Sequence, residues 1–321
     1  MDVFVAGATG VVGRRAVSAL LAAGHSVRAI ARGPEKAELV RSLGAEPVEV
    51  GLFEPEPLKR TAAGADAVVN LATKIPPLMR MRSKKAWAEN DRIRREGSRA
   101  LVDAALAAGA KVYVQESITF IYADGGDRWL DEEAPVALAW VSLDSTLDAE
   151  AQANRFAESG GNGIALRFAA FYAPDAGSTL DSIRLARRRL LPVIGKGDNY
   201  ISSVHAEDAA AAVVAALGAP SGVYNVCDDE PLPLRDYVRA LTDAFGFPRP
   251  RRLPAWLGRL FLGGPAAYIL RSQRVSNRRF KETTGWSPRY PSARDGYQAI
   301  AAEFAAQNTV GAQGGTRATQ G

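Results

Sequence analysis

An apolar strand that runs without a break into a glycine turn and then a helix constrains this chain more than any other feature. Val3-Phe4-Val5-Ala6 leads straight into Gly7-Ala8-Thr9-Gly10-Val11-Val12-Gly13, and a helical pattern continues to Ala23. Such glycine spacing says little by itself, but between a strand and a helix it defines a turn that holds a dinucleotide pyrophosphate. Gly7 allows the tight bend, Gly10 lets the backbone approach the phosphates, and Gly13 lets the helix pack close. The N–H groups of Gly10, Val11 and Val12, with Thr9 beside them, then face the anion.

The same alternation continues through the first half of the chain. Strand patterns at 26–31, 46–50, 67–71, 111–116 and 163–168 are separated by helical patterns at 35–43, 55–62, 83–108 and 142–159. Apolar strands joined by crossover helices imply an α/β fold, a Rossmann-type doubly wound parallel sheet, here with a smaller C-terminal substrate lobe. Residues 1–170 form the nucleotide-binding domain, joined by returning segments at about 199–226, while 171–306 belong mainly to the lobe and interleave with it. The last stretch, 307–321, is rich in Gly, Gln, Thr and Ala and is expected to be disordered.

Composition removes several function classes. With 321 residues, 47% of them hydrophobic, the chain can bury a large core. Its net charge is +5, but the one dense basic cluster, Arg92, Arg94, Arg95 and Arg99, has helical spacing and reads as a solvated face. No nucleic-acid partner is expected. Cys227 is the only cysteine, which excludes an internal disulfide and a cysteine metal cluster. His25 and His205 lack partners at metal-ligand spacing, so no metal is expected, and His205 is read as packing between a strand and its helix. Neither a leader nor an apolar run of about 18 residues is present, so a soluble cytoplasmic chain without a membrane partner is the expectation.

The second strand identifies the cofactor. Val27-Arg28-Ala29-Ile30-Ala31-Arg32 lacks the acid that would accept a ribose 2′-hydroxyl and ends on Arg32, which suits a 2′-phosphate. NADP(H) is therefore expected, with Arg14 and Lys36 near enough in sequence to assist.

Later segments extend the pattern: Asn70-Leu71-Ala72-Thr73, the stretch Leu166-Arg167-Phe168-Ala169-Ala170-Phe171-Tyr172-Ala173-Pro174, and the run from Gly195 to Asp208. On these residues the chain resembles, over most of its length, the extended short-chain dehydrogenase/reductase family of NAD-dependent epimerases and dehydratases. The resemblance implies that Leu71, Ala72 and Thr73 lie near the nicotinamide ribose and Phe168 beside the nicotinamide. It also implies that Leu52 stands where an Asp would contact adenine, and that two copies pair through helices around 94–108 and 147–159.

The departures from that family matter most. Its members use a Ser or Thr after the fifth strand, here Ser117 or its rival Thr119, with a Tyr and a Lys four residues later. Counting back from Glu150 places Ser142 and Thr146 at the Tyr and Lys positions, and Arg94 where a helix Asn would stand. The dyad is missing, and Ser142 and Thr146 are weak acids.

Reducing a ketone leaves an alkoxide, and general-acid help with its protonation is typically worth about 10²–10⁴ in rate. A displaced side chain such as Tyr122, an ordered water, or an acidic group of the substrate remains to supply the proton; the third is favoured. Met79, Met81, Phe120, Tyr122 and Trp140 fall in loops and are read as lining a flat aromatic pocket, with Trp129 and Trp256 as further candidates. The pattern is similar to atypical ketoreductases that tailor aromatic polyketide antibiotics. It implies an NADPH-dependent ketoreductase of a polycyclic, angucyclinone-like aromatic ketone. The alternatives are a nucleotide-sugar epimerase or dehydratase, and a catalytically silent NADP-binding regulator.

Overall fold

In the computed structural model the described residues are 1–76, 80–138, 143–263 and 270–317, without the side chains of 259, 261–262 and 308–317. Met79, Trp140 and Ser142 lie outside them.

A seven-stranded sheet organises the chain. Its strands are β1 (Asp2–Ala6), β2 (Ser26–Ile30), β3 (Glu46–Val48), β4 (Ala67–Asn70), β5 (Val112–Ile118), β7 (Asn162–Phe168) and β12 (Gly222–Val226). The order across the sheet is β12-β7-β5-β4-β1-β2-β3, and every pairing is parallel. Because helices cover both faces, the central strands are buried on both sides and read as unbroken apolar runs. Helices α1 (Val11–Ala22) and α8 (Ala206–Ala216) pack on one face. On the other lie α3 (Pro55–Ala62), α5 (Ser98–Ala108) and α6 (Asp144–Glu158). The remaining helix of this half is α2 (Pro34–Ser42).

The strand order reverses between β1 and β4, and a crevice opens at the carboxyl ends of strands at such a point. Register puts Val5 beside Val69 and Ala6 beside Asn70, so the chain leaves both strands side by side at Gly7 and Leu71. The long helix predicted over 83–108 is present but not uniform. It runs as α4 (Lys84–Arg92), a π-helical turn Ile93–Gly97, and α5.

Outside the large sheet the strands are short and pair two by two. The pairs are β8 (Ala170–Tyr172) with β11 (Ser203–His205), β9 (Val193–Ile194) with β14 (Arg252–Leu253), β10 (Tyr200–Ile201) with β13 (Leu232–Pro233), and β6 (Trp129–Leu130) with β15 (Arg274–Val275). Helices α7 (Gly177–Arg187), α9 (Leu234–Ala244), α10 (Ala255–Leu262), α11 (Arg278–Thr284) and α12 (Ala293–Arg317) accompany them. Tyr172, Leu241, Tyr297 and Ile300 form the centre of a core of their own. α12 carries through Gln307 to Arg317. Once the packed first turns nucleate a helix, each added residue costs little, and Ala305, Ala306 and Gln307 are good helix formers.

His205 is the N-cap of α8, its Nδ1 accepting from the Glu207 N–H at 3.3 Å. Its ring packs against Tyr172 and Tyr290. Burial, helped by the charges of Arg15 and Arg289, pushes its pKa down to about 4. The unfolded chain therefore takes up a proton near pH 6.5 that the folded chain refuses until about pH 4. Stability from this residue is full above pH 6.5 and is lost as pH falls from there towards 4. A His205→Gln variant should show a flatter loss of stability in urea melts across that window than the parent; equal slopes would reject the assignment.

Candidate active site

Backbone geometry makes the turn after β1 a cradle. Gly7 has φ +85°, and a Cβ there would lie 2.4 Å from the Leu71 carbonyl carbon. A Cβ on Gly13 would lie 2.0 Å from the Gly7 carbonyl oxygen. The Gly10 N–H donates to that same oxygen at 3.1 Å, which closes the turn. α1 begins at Gly10 with neither a side-chain cap nor an acidic residue in its first turn, so its N–H groups stay open to an anion. Thr9 and Val11 are half-buried here, while Val12 turns into the core. This arrangement fits a dinucleotide pyrophosphate.

On the far side of the crevice, the Asn70 side chain accepts from the Ala72 N–H at 3.1 Å and donates to Gln115 at 2.9 Å, fixing the exit of β4. Leu71 and Ala72 are nearly covered and Thr73 is exposed. Leu52 is half-buried and packs beside Gly97 in the π turn. Arg32 is exposed just beyond β2 and has no ion-pair partner among the described residues. Arg14 is engaged elsewhere: it and Arg15 both pair with Asp175. Phe168 is corrected as a cofactor contact. It is fully buried in the main core beside Phe171, leaving no surface for a ligand.

Two buried ion pairs underlie the end of β5. Arg167 binds both oxygens of Glu150, at 2.8 and 2.7 Å, and the Ser117 hydroxyl donates to the same carboxylate. Ser117 is 0% exposed, and its one proton is committed to Glu150. Thr119 begins the short 3₁₀ turn after β5, and among the described residues its Oγ1 has no hydrogen-bond partner. Thr119 is 2% exposed, and of the two hydroxyl candidates it is the one whose donor is uncommitted among the described residues. Beside it Phe120 packs with Ile118, Ile121 and Leu143 in a small apolar cluster.

Thr146, at the position of the absent Lys, is buried, and a cation reaches it from another helix. Arg94 Nη1 donates to Thr146 Oγ1 at 2.5 Å, and Nη2 donates to both oxygens of Glu116 at 3.2 Å. Arg94 is only 1% exposed, so the reading of its cluster as wholly solvated is corrected. The π turn faces Arg94 inward and Arg95 outward, onto Asp144 and Asp148. Sequence reasoning missed this clamp, although Glu116 at the end of an apolar strand signalled that a buried cation was needed.

Tyr122 is also corrected, both as a pocket residue and as a proton donor. It is 0% exposed, donates to Asn225 at 2.7 Å and accepts from Arg167 at 2.9 Å. Burial pushes its pKa up to about 12, which makes it a poorer acid than a free phenol. Met81 is half-buried, its carbonyl accepting from the Trp87 indole. Trp129 is exposed under the Arg274 guanidinium, and Trp256 is exposed on α10. The described residues contain no group of three or more His, Cys, Asp or Glu able to hold a metal.

A family model, "NAD dependent epimerase/dehydratase family", matches residues 3–227. The chain belongs to that family. As a member it is an NAD(P)-dependent oxidoreductase. Among its relatives in the family, a Streptomyces 3-diazoavenalumate denitrifying reductase is 36% identical over 92% of this chain and 99% of its own length. A Stigmatella aurantiaca 4-hydroxy-2-methyl-3-oxo-4-farnesyl-3,4-dihydroquinoline-1-oxide ketoreductase is 30% identical over 77% of this chain and 74% of its own. Two solved structures share the fold. Human epimerase family protein SDR39U1 with NADPH superposes at TM-score 0.79 and 23% identity, covering 94% of this chain and 99% of that one. The Thermotoga maritima UDP-glucose 4-epimerase superposes at 0.78 and 20% identity, covering 96% and 99%.

Proposed function

We propose that this chain is an NADPH-dependent ketoreductase of a phenolic, polycyclic aromatic ketone, and that the proton comes from the substrate or from water. The observation that carries the reading is a cofactor cradle kept in a chain whose sequence lacks the family's Tyr and Lys. Positions 142 and 146 hold Ser and Thr, Thr146 accepts from Arg94, and Tyr122 is sealed in the core. Gly7, Gly10 and Gly13 would admit the pyrophosphate, and Arg32 would pair with the 2′-phosphate. The bound nicotinamide would supply the hydride.

Thr119 orients the ketone oxygen by hydrogen bonding. A phenol next to the ketone passes its proton to the forming alkoxide, and water later neutralises the phenolate. The cluster around Phe120 and Leu143 gives a flat ring system an apolar support. The relative named as a ketoreductase of a quinoline oxide supports the reaction class.

A second reading is favoured by the relative named as a denitrifying reductase. Hydride added to an arenediazonium carbon gives the arene and N₂, and the balance needs no proton. A site without an acid suits this reaction as well.

One panel separates the readings: a phenolic polycyclic ketone, its O-methyl ether, and an ortho-hydroxy arenediazonium, each with NADPH. Turnover of the ketone that collapses on O-methylation supports the first. N₂ release without ketone turnover supports the second, and binding of NADPH with no turnover at all rejects both in favour of a silent regulator. Cofactor choice has its own check. Arg32→Glu should raise the Kd for NADPH roughly 10- to 100-fold with little change for NADH. A parent protein that prefers NADH would refute the assignment of Arg32.

A further inference from the structure

The fold gathers unpaired positive charge at one edge of the molecule. α7 ends on Arg187; Arg188 and Arg189 follow it, and all three are exposed. The chain then enters β9, where the Val193 N–H donates to the Arg251 carbonyl at 2.8 Å and Val193 stands in register with Arg252. Arg251 and Arg252, far away in sequence, are thereby brought to the same edge and are also exposed. None of the five has an ion-pair partner among the described residues. A shallow pocket there is lined by Arg187, Arg188 and Arg184, the last already paired with Asp181 at 3.0 Å, which leaves Arg187 and Arg188 for a phosphate group.

Apolar side chains stand in the same place. α10 follows β14 directly and packs on β9, since a Cβ on Gly258 would touch Ile194. Its outer face presents Trp256 and Leu260, four residues apart, at 66% and 65% exposure. Leu190, beside the α7 arginines, is 61% exposed.

From these observations we infer that this edge docks the protein on an anionic phospholipid surface. The arginines meet phosphodiester headgroups, and Trp256 and Leu260 enter the boundary between headgroups and acyl chains. Basic residues around an aromatic-bearing helix face are the features that hold a helix in the plane of a membrane interface. A nucleic acid would use the charge but leave Trp256, Leu260 and Leu190 without apolar cover. A second copy of the chain would set five arginines against five, which is repulsive in a self-complementary contact. Nothing here crosses the bilayer: no helix among the described residues is long and apolar enough to span it. The inference does not depend on which substrate the enzyme reduces.

Co-sedimentation of the full chain with vesicles tests it, comparing phosphatidylcholine alone with phosphatidylcholine containing phosphatidylglycerol. Binding is expected only to the anionic vesicles and should weaken steeply with salt. The pair Arg187→Gln and Arg188→Gln should bind about thirty-fold more weakly, at about 1 kcal/mol per removed charge. Trp256→Ala should weaken binding further at high salt, and all variants should keep the NADPH affinity of the parent. Equal sedimentation with both vesicle types, unchanged binding by the double variant, or salt-sensitive capture of a DNA duplex without vesicle binding would overturn the inference.

Discussion

Replacing Arg94 by Met should lower the stability of the protein by about 3–5 kcal/mol and its Tm by on the order of 10 °C. The loss comes less from the ion pair than from what the substitution leaves behind. Glu116 would remain as a buried carboxylate without its cation, and Thr146 would lose a charged donor. Chemical denaturation of the single and double variants separates these effects. Arg94→Met with Glu116→Leu should recover most of the loss, because removing both charges of a buried pair is far milder than stranding one. A single variant within 1 kcal/mol of the parent, or a double variant no better than the single, would show that the guanidinium holds nothing.

The second large effect concerns the two hydroxyls after β5. Thr119→Val should lower kcat for ketone reduction by on the order of 10²-fold, the usual consequence of removing one donor to a developing oxyanion. Ser117→Ala should leave kcat within a few-fold and lower stability by about 1.5–3 kcal/mol instead, because its proton is held by the Glu150–Arg167 pair. Steady-state kinetics with denaturation curves on both variants decide the matter. The opposite pattern, with Ser117 governing turnover and Thr119 governing stability, would reverse the assignment.

Much of this molecule was legible from local chemistry. The central strands announce themselves because burial on both faces demands continuous apolar residues, and Gly24, Gly44 and Gly109, all at positive φ, mark the ends of three helices. The cofactor cradle was readable for a similar reason, since Gly7 and Gly13 sit where any side chain would strike backbone. What escaped depends on contacts between distant residues. Regular 3.6-residue spacing puts Arg94 on a basic outer face, but the extra residue in the π turn rotates it onto Glu116 and Thr146. Tyr122 lies in a loop, yet Asn225 and Arg167 satisfy its hydroxyl inside the core. The basic edge was invisible because its arginines come from two separate stretches that meet only through the β9–β14 pairing.

The outermost strand on one side of the sheet, β3, is only Glu46-Pro47-Val48. Pro47 sits at its centre and has no N–H to offer a newcomer. A neighbouring molecule therefore finds no template there for extending the sheet, which protects the chain against stacking edge to edge into fibres. On that side of the molecule, self-association has to be built from side chains, where complementary shapes rather than backbone ladders choose the partner.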